Sequence, residues 1–156
     1  MEHALARPEQ NDRRLLGGRA RAAGIDLLDF ADVESVDLTI DGADEIDDRL
    51  FAIKGAGGAM LREKIVAAAS RRMIVIADAS KRVERIGRAK LPVEILPFAR
   101  AFVTARLEAL GARIALRQGY VTDQGNLIVD CIFPEMPDPS ALAARLSAIP
   151  GVLGHG

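Results

Sequence analysis

The apolar positions in the middle of the chain predict two strands with a helix between them. DLTI at 37–40 predicts a strand that runs into a turn at 41–42, and the unbroken apolar run MIVIA at 73–77 predicts a strand covered on both faces. Helical spacing begins after a glycine-rich bend, and its apolar stripe consists of Leu61, Ile65, Ala68 and Ala69. Strand, helix and strand in this order indicate a βαβ unit with a parallel sheet.

The spacing of apolar positions predicts regular structure less clearly toward the N-terminus. Residues 1–12 are polar and follow neither period, so we expect them to form a loose lead-in. The run 13–24 is a poor helix because Gly17 and Gly18 interrupt it. The apolar residues that follow predict a short strand, and these are Ile25, Leu27 and Leu28. A further apolar run at 51–53 is too short to assign by itself.

The second half of the chain follows the order β-α-β-β-α-β. Its predicted strands are 93–96, 113–116, 127–133 and 151–153, with helices over about 99–110 and 139–148 and a turn at 123–126. This order is typical of a ferredoxin-like split βαβ domain. We therefore predict an α/β chain with two domains, an incomplete Rossmann-like catalytic domain at 1–90 and a smaller ferredoxin-like α+β domain at 91–156.

Composition narrows the class of protein and its partners. The 156 residues carry 21 Lys and Arg against 22 Asp and Glu, and 49% are hydrophobic, as in ordinary globular proteins with a real core. With no basic excess, no Trp and one Tyr, the chain lacks the charge and stacking surface that nucleic-acid binding needs. No apolar stretch is long enough to span a membrane, so we expect a cytoplasmic protein with neither nucleic acid nor membrane as partner.

Cysteine and histidine give no sign of a metal centre. The only cysteine, Cys131, cannot close an intramolecular disulfide, and we expect it to be a buried apolar side chain. The two histidines, His3 and His155, stand near opposite ends of the sequence. We therefore expect no metal, no cofactor and no effect of chelators on activity.

The segment DGADEIDD at 41–48 places five carboxylates in eight positions after a predicted strand. They are Asp41, Asp44, Glu45, Asp47 and Asp48. Ligand sites of open α/β sheets lie at the carboxyl ends of the strands, so these carboxylates are candidates to meet a substrate. The alternative is a solvated acidic turn, and we adopt that interpretation for Asp47 and Asp48.

The segment KGAGGAMLREK at 54–64 combines a lysine, a glycine-rich bend and the start of a helix. Glycines let the backbone approach an anion closely, and the N–H groups at a helix start favour phosphate or an oxyanion. As a dinucleotide-binding fingerprint the segment is weak, because Met60 stands where a third small residue belongs. Glu63 by itself would be an ordinary charge in the first turn of a helix.

Together the two segments supply the groups that proton transfer next to a carbonyl requires. A base removes the proton, cationic or N–H groups stabilise the enediolate, and acids handle protons on the neighbouring oxygens. The order of these residues is also that of a known family. DGADEID, IKGAGGAMLREKIVA and IADASK, with LPVEILP, VTDQGNLIVD and IPGV after them, closely resemble ribose-5-phosphate isomerase type A over about residues 14–155.

The resemblance implies a metal-free isomerase that interconverts ribose 5-phosphate and ribulose 5-phosphate in the pentose phosphate pathway. It implies that Glu63 is the base, that Asp41 and Asp44 contact the sugar hydroxyls, and that Lys54 steadies the enediolate. The implied substrate-binding residues are Asp41, Gly42, Ala43, Asp44, Lys54, Gly55, Ala56, Gly57 and Lys81. Ala56 replaces a glycine usual in the family, which is tolerable if its φ is negative. The resemblance also implies a homodimer or homotetramer.

Two segments of the family have no counterpart in the sequence. Nothing in residues 1–40 matches the GTGST-type loop that binds the substrate phosphate, and the C-terminal strand that returns to the large domain is missing. We therefore expect exposed apolar surface, poor solubility or forced association, and impaired phosphate binding. Two other functions stay open, an inactive or weakly active relative that only binds sugar phosphate or associates with a partner, and, more remotely, a nicotinamide-dependent enzyme.

Overall fold

A computed structural model of the chain describes residues 17–136 and 138–156, and the chain divides into two units, Met1–Ser35 and Val36–Gly156. In the first unit, residues 17–22 are helical, and the chain leaves this helix through Gly24, whose φ is +74°. A short 3-10 helix at Phe30–Asp32 follows, capped by the side chain of Asp29. The predicted lead-in at 1–12 lies outside the described residues.

The strand predicted around Ile25, Leu27 and Leu28 is wrong. These residues have no regular structure, and Ile25 and Leu28 are 58% and 79% exposed. A strand needs hydrogen bonds from a neighbouring strand, and the described part of this unit contains none. The apolar character of the segment alone therefore gave the wrong secondary structure.

The second unit opens with two short strands paired in parallel. These are β1 (Thr39–Asp41) and β4 (Met73–Val75), with Thr39 opposite Met73 and Asp41 opposite Val75. Between them lie an antiparallel hairpin of β2 (Glu45–Ile46) and β3 (Ala52–Ile53) and the helix α1 (Met60–Ala68). The parallel pairing predicted around the helix is confirmed, although a hairpin that was not predicted interrupts the unit.

The predicted cover over both faces of the run 73–77 is wrong. Met73, Ile74 and Ile76 are 39%, 42% and 63% exposed, because the described part of this sheet consists of β1 and β4 alone. The apolar stripe of α1 is also open on its Ile65 side, where the side chain is 47% exposed, and Met60 is the residue that this helix buries. Exposed apolar surface on a sheet with few strands is therefore observed, as expected.

The rest of the chain forms a four-stranded antiparallel sheet in the order β6-β7-β5-β8. Its elements are β5 (Leu91–Ile95), α2 (Arg100–Ala109), β6 (Arg113–Leu116), β7 (Leu127–Ile132), α3 (Pro139–Ser147) and β8 (Val152–His155). This is the β-α-β-β-α-β order that the sequence predicts. The core between this sheet and its helices contains Val93, Ile95, Val103, Leu107, Val129, Cys131 and Leu146, all fully buried.

Local signals explain why these elements begin and end where they do. Asp138 caps α3 by accepting a hydrogen bond from the Ala141 amide at 2.9 Å, and Pro139 occupies the first turn. The turn 122–126 is tied to the middle of β5, because the buried Glu94 carboxylate accepts hydrogen bonds from Thr122 Oγ1 and Asn126 Nδ2, both at 2.8 Å. Among the described residues, no helix combines the length and apolar character needed to cross a membrane.

Cys131 lies in this core as expected. Its side chain is fully buried on β7, where burial raises the pKa of the thiol to about 12. Because the thiolate is the reactive form of cysteine, this side chain is inert near neutral pH. Cys131 therefore acts as a small apolar residue and has no part in the chemistry described below.

Candidate active site

The acidic segment after β1 divides into carboxylates that hold the fold and carboxylates that face open space. Glu45 is buried, and its side chain accepts hydrogen bonds from three consecutive amides, those of Gly87, Arg88 and Ala89, at 2.7–3.1 Å. Glu45 thereby fixes the loop before β5. The carboxylate of Glu45 is fully used by this loop, so it is not available to a substrate.

Asp47 and Asp48 also have structural partners. Asp47 is buried and accepts hydrogen bonds from the amides of Arg49 and Phe51 and from the Arg49 guanidinium, the closest contact being 2.7 Å. Burial raises the pKa of the Asp47 carboxyl, but these hydrogen bonds outweigh burial and hold the pKa below its ordinary value. Asp48 forms an exposed ion pair with Arg82 at 2.9 Å. The solvated-turn interpretation therefore fits Asp48, whereas Asp47 is buried.

Asp41 and Asp44 are left to face a cleft at the carboxyl end of β1. The Asp41 carboxylate accepts a hydrogen bond from the Gly42 amide at 2.7 Å, which sets the start of the turn. The Asp44 carboxylate accepts one from the Ala56 amide at 2.9 Å and so links the acidic turn to the glycine-rich bend. The two segments singled out in the sequence are thus joined side by side.

The glycine-rich bend at 55–58 has the backbone of a tight turn. The Gly58 amide donates to the Gly55 carbonyl at 2.9 Å, and both glycines have a positive φ, +89° at Gly55 and +86° at Gly58. A Cβ on Gly55 would approach Met60 Cβ to 2.5 Å, so close packing also favours glycine there. Ala56 keeps its φ outside the left-handed region, and its replacement of a glycine is therefore tolerated.

Lys54 is the centre of charge in the cleft. Its ammonium lies 2.7 Å from Asp41 Oδ2 and 3.3 Å from Glu63 Oε2, and it donates a hydrogen bond to the Gly42 carbonyl at 2.5 Å. The side chain of Lys54 is only 18% exposed, so water screens these charges less than on an open surface. One cation thus holds two carboxylates from different elements next to each other.

Glu63 is placed by the first turn of α1. Its side chain is 30% exposed and lines the same cleft as the glycine-rich bend. Glu63 Oε2 is close to the Lys54 ammonium, but within the described chain it accepts no hydrogen bond and is shielded from solvent. A carboxylate oxygen that is near a cation and is not already hydrogen-bonded can accept a proton from a bound molecule.

Nine of the ten residues predicted for the site line this one cleft of about 210 Å³. They are Asp41, Gly42, Ala43, Asp44, Lys54, Gly55, Ala56, Gly57 and Glu63. The tenth, Lys81, does not line it. Lys81 ends a 3-10 helix, Ala79–Lys81, which follows β4 and is capped by Asp78.

The structure adds three residues that the sequence did not indicate. Arg117 donates to the Ala56 carbonyl at 3.0 Å, Tyr120 donates to the Gly57 carbonyl at 3.2 Å, and Asp130 forms an ion pair with Arg117 at 2.5 Å. Arg117 and Tyr120 are more than 60 residues away in sequence from the carbonyls they contact. No local pattern could have connected them to the bend.

The donor set of the cleft is that of acid–base chemistry rather than of a metal centre. Across 17–136 and 138–156, no cluster of three or more His, Cys, Asp or Glu side chains has an arrangement that could hold a metal ion. What the cleft offers is two carboxylates that can contact hydroxyls, one ammonium and one carboxylate oxygen free to take up a proton. These groups can move a proton between neighbouring carbons and stabilise the negative charge that develops.

Comparison with known proteins gives consistent matches. The family model described as ribose 5-phosphate isomerase A (phosphoriboisomerase A) matches residues 17–156. The chain is 56% identical to ribose-5-phosphate isomerase A of Sphingopyxis alaskensis over 136 residues, which cover 85% of this chain and 60% of that protein. It is 54% identical to the protein of the same name from Roseiflexus castenholzii, with 88% and 61% covered.

Solved structures match as well. Ribose 5 phosphate isomerase A from Neisseria gonorrhoeae superposes with a TM-score of 0.86 at 41% identity, covering 90% of this chain and 63% of that one. A D-ribose-5-phosphate isomerase in complex with phospho-erythronic acid has the same TM-score at 33% identity, with 92% and 66% covered. The chain spans about 60% of the length of the curated relatives named above.

Proposed function

The chain belongs to the ribose 5-phosphate isomerase A family, and from this premise we propose that it interconverts D-ribose 5-phosphate and D-ribulose 5-phosphate. The observation that carries the proposal is the position of Glu63. Its Oε2 is shielded from solvent, makes no hydrogen bond within the described chain and lies 3.3 Å from the Lys54 ammonium. Such an oxygen fits the base of an aldose–ketose isomerisation.

The proposed reaction moves one proton between neighbouring carbons of the open-chain sugar. Glu63 removes the proton from carbon 2, and the electron pair of that C–H bond forms the double bond of an enediolate while negative charge collects on the oxygen of carbon 1. Glu63 then returns the proton to carbon 1, while the hydroxyl proton on the oxygen of carbon 2 passes to the oxygen of carbon 1, so that carbon 1 carries a hydroxyl and the carbonyl forms at carbon 2. Lys54 stabilises the enediolate, and Asp41 and Asp44 contact the hydroxyls and assist ring opening.

Sugar phosphate is the ligand class that this proposal requires. One solved relative is in complex with phospho-erythronic acid, a phosphorylated sugar acid. The bend at 55–58 and the start of α1 supply backbone N–H groups of the kind that bind anions. In the proposal Lys81 also reaches the substrate, from its place after β4.

The proposal extends to architecture and assembly. We infer that residues up to 90 carry part of a Rossmann-like parallel sheet, which in this chain includes β1 and β4, and that residues 91–156 form a ferredoxin-like domain. The β6-β7-β5-β8 order with wholly antiparallel pairing supports the second assignment. A cytoplasmic homodimer or homotetramer completes the proposal, and the exposed apolar residues of β1 and β4 are surface that association could bury.

A second function is a sugar-phosphate-binding or association module without turnover. The observation that favours it is the exposed apolar surface of the parallel strand pair, where Ile40, Met73 and Ile74 are 58%, 39% and 42% exposed and available to an association partner. Isothermal titration with ribose 5-phosphate separates the two functions when it is combined with an activity assay. Binding without product formation would support the module, whereas binding with turnover would exclude it.

The direct test of the proposed function replaces Glu63 by Gln. Glu63→Gln keeps the shape of the side chain but cannot accept the proton, so turnover of ribose 5-phosphate should fall by about 10²–10⁴-fold. Glu108→Gln makes the same chemical change on the exposed face of α2 and should turn over like the unmodified chain. Unchanged turnover in Glu63→Gln, measured by the formation of ribulose 5-phosphate, would refute the assignment of the base.

A further inference from the structure

Two side chains donate hydrogen bonds to consecutive carbonyl groups of the glycine-rich bend. Arg117 Nη1 donates to the Ala56 carbonyl at 3.0 Å, and Tyr120 Oη donates to the Gly57 carbonyl at 3.2 Å. Both come from the end of β6 and the loop after it, which lie on the antiparallel sheet rather than on the elements that carry Asp41 or Lys54. We refer to Arg117, Tyr120 and Asp130 together as the carbonyl clamp.

Asp130 fixes the guanidinium of Arg117 in one orientation. Asp130 lies on β7, and its two oxygens accept from Arg117 Nε at 3.1 Å and Nη2 at 2.5 Å, while both side chains are mostly buried at 12% and 20% exposure. This bidentate pair leaves Nη1 to point at the bend. A lysine has one nitrogen at the end of a flexible stem and cannot hold Asp130 and Ala56 in the same rigid fork.

Tyr120 adds contact over the surface of the bend. The Arg117 guanidinium lies 5.4 Å from the centre of the Tyr120 ring, within the range of a cation–π interaction. The Tyr120 hydroxyl occupies the space that a Cβ on Gly58 would take. Tyr120 therefore packs directly on the backbone that its hydroxyl also binds.

Because a peptide unit is planar and trans, holding a carbonyl also sets the direction of the next N–H group. The clamp on the Ala56 carbonyl turns the Gly57 N–H to the opposite side of the backbone. The Gly58 N–H, set by the clamp on the Gly57 carbonyl, is already used by the Gly55 carbonyl at 2.9 Å. On the other side of Ala56, its own N–H holds the Asp44 carboxylate at 2.9 Å.

We propose that Arg117 and Tyr120 are positioning residues of the active site, which aim the Gly57 N–H at a substrate oxygen and keep Asp44 in place through Ala56. This inference rests on the proposed isomerase function. Neither side chain lines the cleft, so both act through the backbone of the bend. A misplacement of about 1 Å in such a site can cost on the order of 10²-fold in rate, which sets the size of the expected effect.

The test compares Arg117→Lys and Arg117→Met with the matched control Arg82→Met. Arg82 also forms a bidentate pair with an aspartate, Asp48, but on the surface and away from the bend. Both Arg117 variants should lower kcat by on the order of 10–10²-fold with a smaller change in KM, and the lysine should not rescue activity. Arg82→Met should behave as the unmodified chain. Tyr120→Phe, which loses one neutral hydrogen bond, should lower kcat by roughly 2–10-fold.

Amide resonances provide a readout that does not need turnover. In ¹H–¹⁵N spectra of folded Arg117→Lys, the Ala56 and Gly57 amides should shift and exchange with solvent faster, whereas in Arg82→Met they should not change. Two results would overturn the inference. One is that both Arg117 variants turn over ribose 5-phosphate as fast as the unmodified chain once the unfolded fraction is allowed for. The other is that the resonance and the exchange rate of the Gly57 amide are unchanged in Arg117→Lys. If the unmodified chain itself does not turn over ribose 5-phosphate, the proposed function fails, and the amide spectra alone decide whether the clamp positions the bend.

Discussion

Replacing Lys54 by Met tests the electrostatic design of the cleft. The ammonium lies 2.7 Å from Asp41 and 3.3 Å from Glu63, so the two carboxylate oxygens are within about 6 Å of each other. Without the cation, Coulomb repulsion across that distance amounts to roughly 1–3 kcal/mol for an effective dielectric constant between about 80 and 20. Lys54→Met leaves this repulsion uncompensated and also removes the attraction of the ammonium to both carboxylates, so it should lower the free energy of unfolding by at least about 1 kcal/mol.

The same substitution removes the cation that stabilises the proposed enediolate. Loss of one preorganised group of this kind lowers kcat by about 10²–10³-fold, so turnover of ribose 5-phosphate should fall by that factor. Lys90→Met, at an exposed lysine outside the cleft, is the matched control and should change neither quantity. The assays are urea unfolding followed by circular dichroism and formation of ribulose 5-phosphate.

A double variant separates the two effects of Lys54. Lys54→Met combined with Glu63→Gln removes the cation together with one of the two carboxylates, so the repulsion disappears and stability should recover toward that of the unmodified chain. Activity should not recover, because the base is also missing. If Lys54→Met kept kcat within about threefold, or if the double variant were no more stable than the single one, the assigned role of Lys54 would be wrong.

Two further predictions concern the segments that frame the cleft. Asp47→Asn should destabilise the chain by about 1–3 kcal/mol at pH 7, and this loss should shrink at acid pH. The pKa of the Asp47 carboxyl is lower in the folded state than its ordinary value of 3.8. The stabilisation by Asp47 is therefore fully present at pH values above 3.8 and disappears as the pH falls through the folded-state pKa. Urea unfolding at pH 7 and pH 3 checks this, with Asp37→Asn, at an 89% exposed side chain, as the control that should change stability little. An equal loss in Asp47→Asn at both pH values would contradict the prediction. Gly58→Ala should cost more stability than Gly111→Ala in the same assay, because both glycines have positive φ but only the Cβ at 58 would meet Tyr120. Equal losses of stability in the two variants would show that the Tyr120 side chain moves aside, and would contradict the prediction.

Local sequence patterns predicted the second half of the fold well, and physical reasons explain why. The strand at 113–116 was predicted with the bounds that the structure shows, and the helices at about 99–110 and 139–148 came within a residue or so of theirs. Each of these elements has its own apolar period, cap or glycine stop within a few residues. The β2–β3 hairpin has only two residues in each strand, which is too short for any period to show.

The site likewise has residues that lie in two continuous segments and contacts between residues that are far apart in sequence. The acidic turn and the glycine-rich bend are each continuous in sequence, and the family resemblance of these two segments implies nine of the residues that line one cleft. The contacts of Arg117 with Ala56 and of Tyr120 with Gly57 depend on how the antiparallel sheet sits behind the bend. Burial was predicted less well at 73–77, because an apolar run indicates a capacity to be covered and does not show which segment covers it.

Proton NMR of ribose 5-phosphate in D₂O with the full 156-residue chain tests most directly whether Glu63 moves a proton on the sugar. We predict that the signal of the proton on carbon 2 disappears while ribulose 5-phosphate accumulates, and that Glu63→Gln slows both changes by about 10²–10⁴-fold. Glu108→Gln should give the same spectra as the unmodified chain. A folded sample that leaves the sugar unchanged, or a Glu63→Gln variant that exchanges the proton as fast as the unmodified chain, would contradict the assignment of Glu63 as the base.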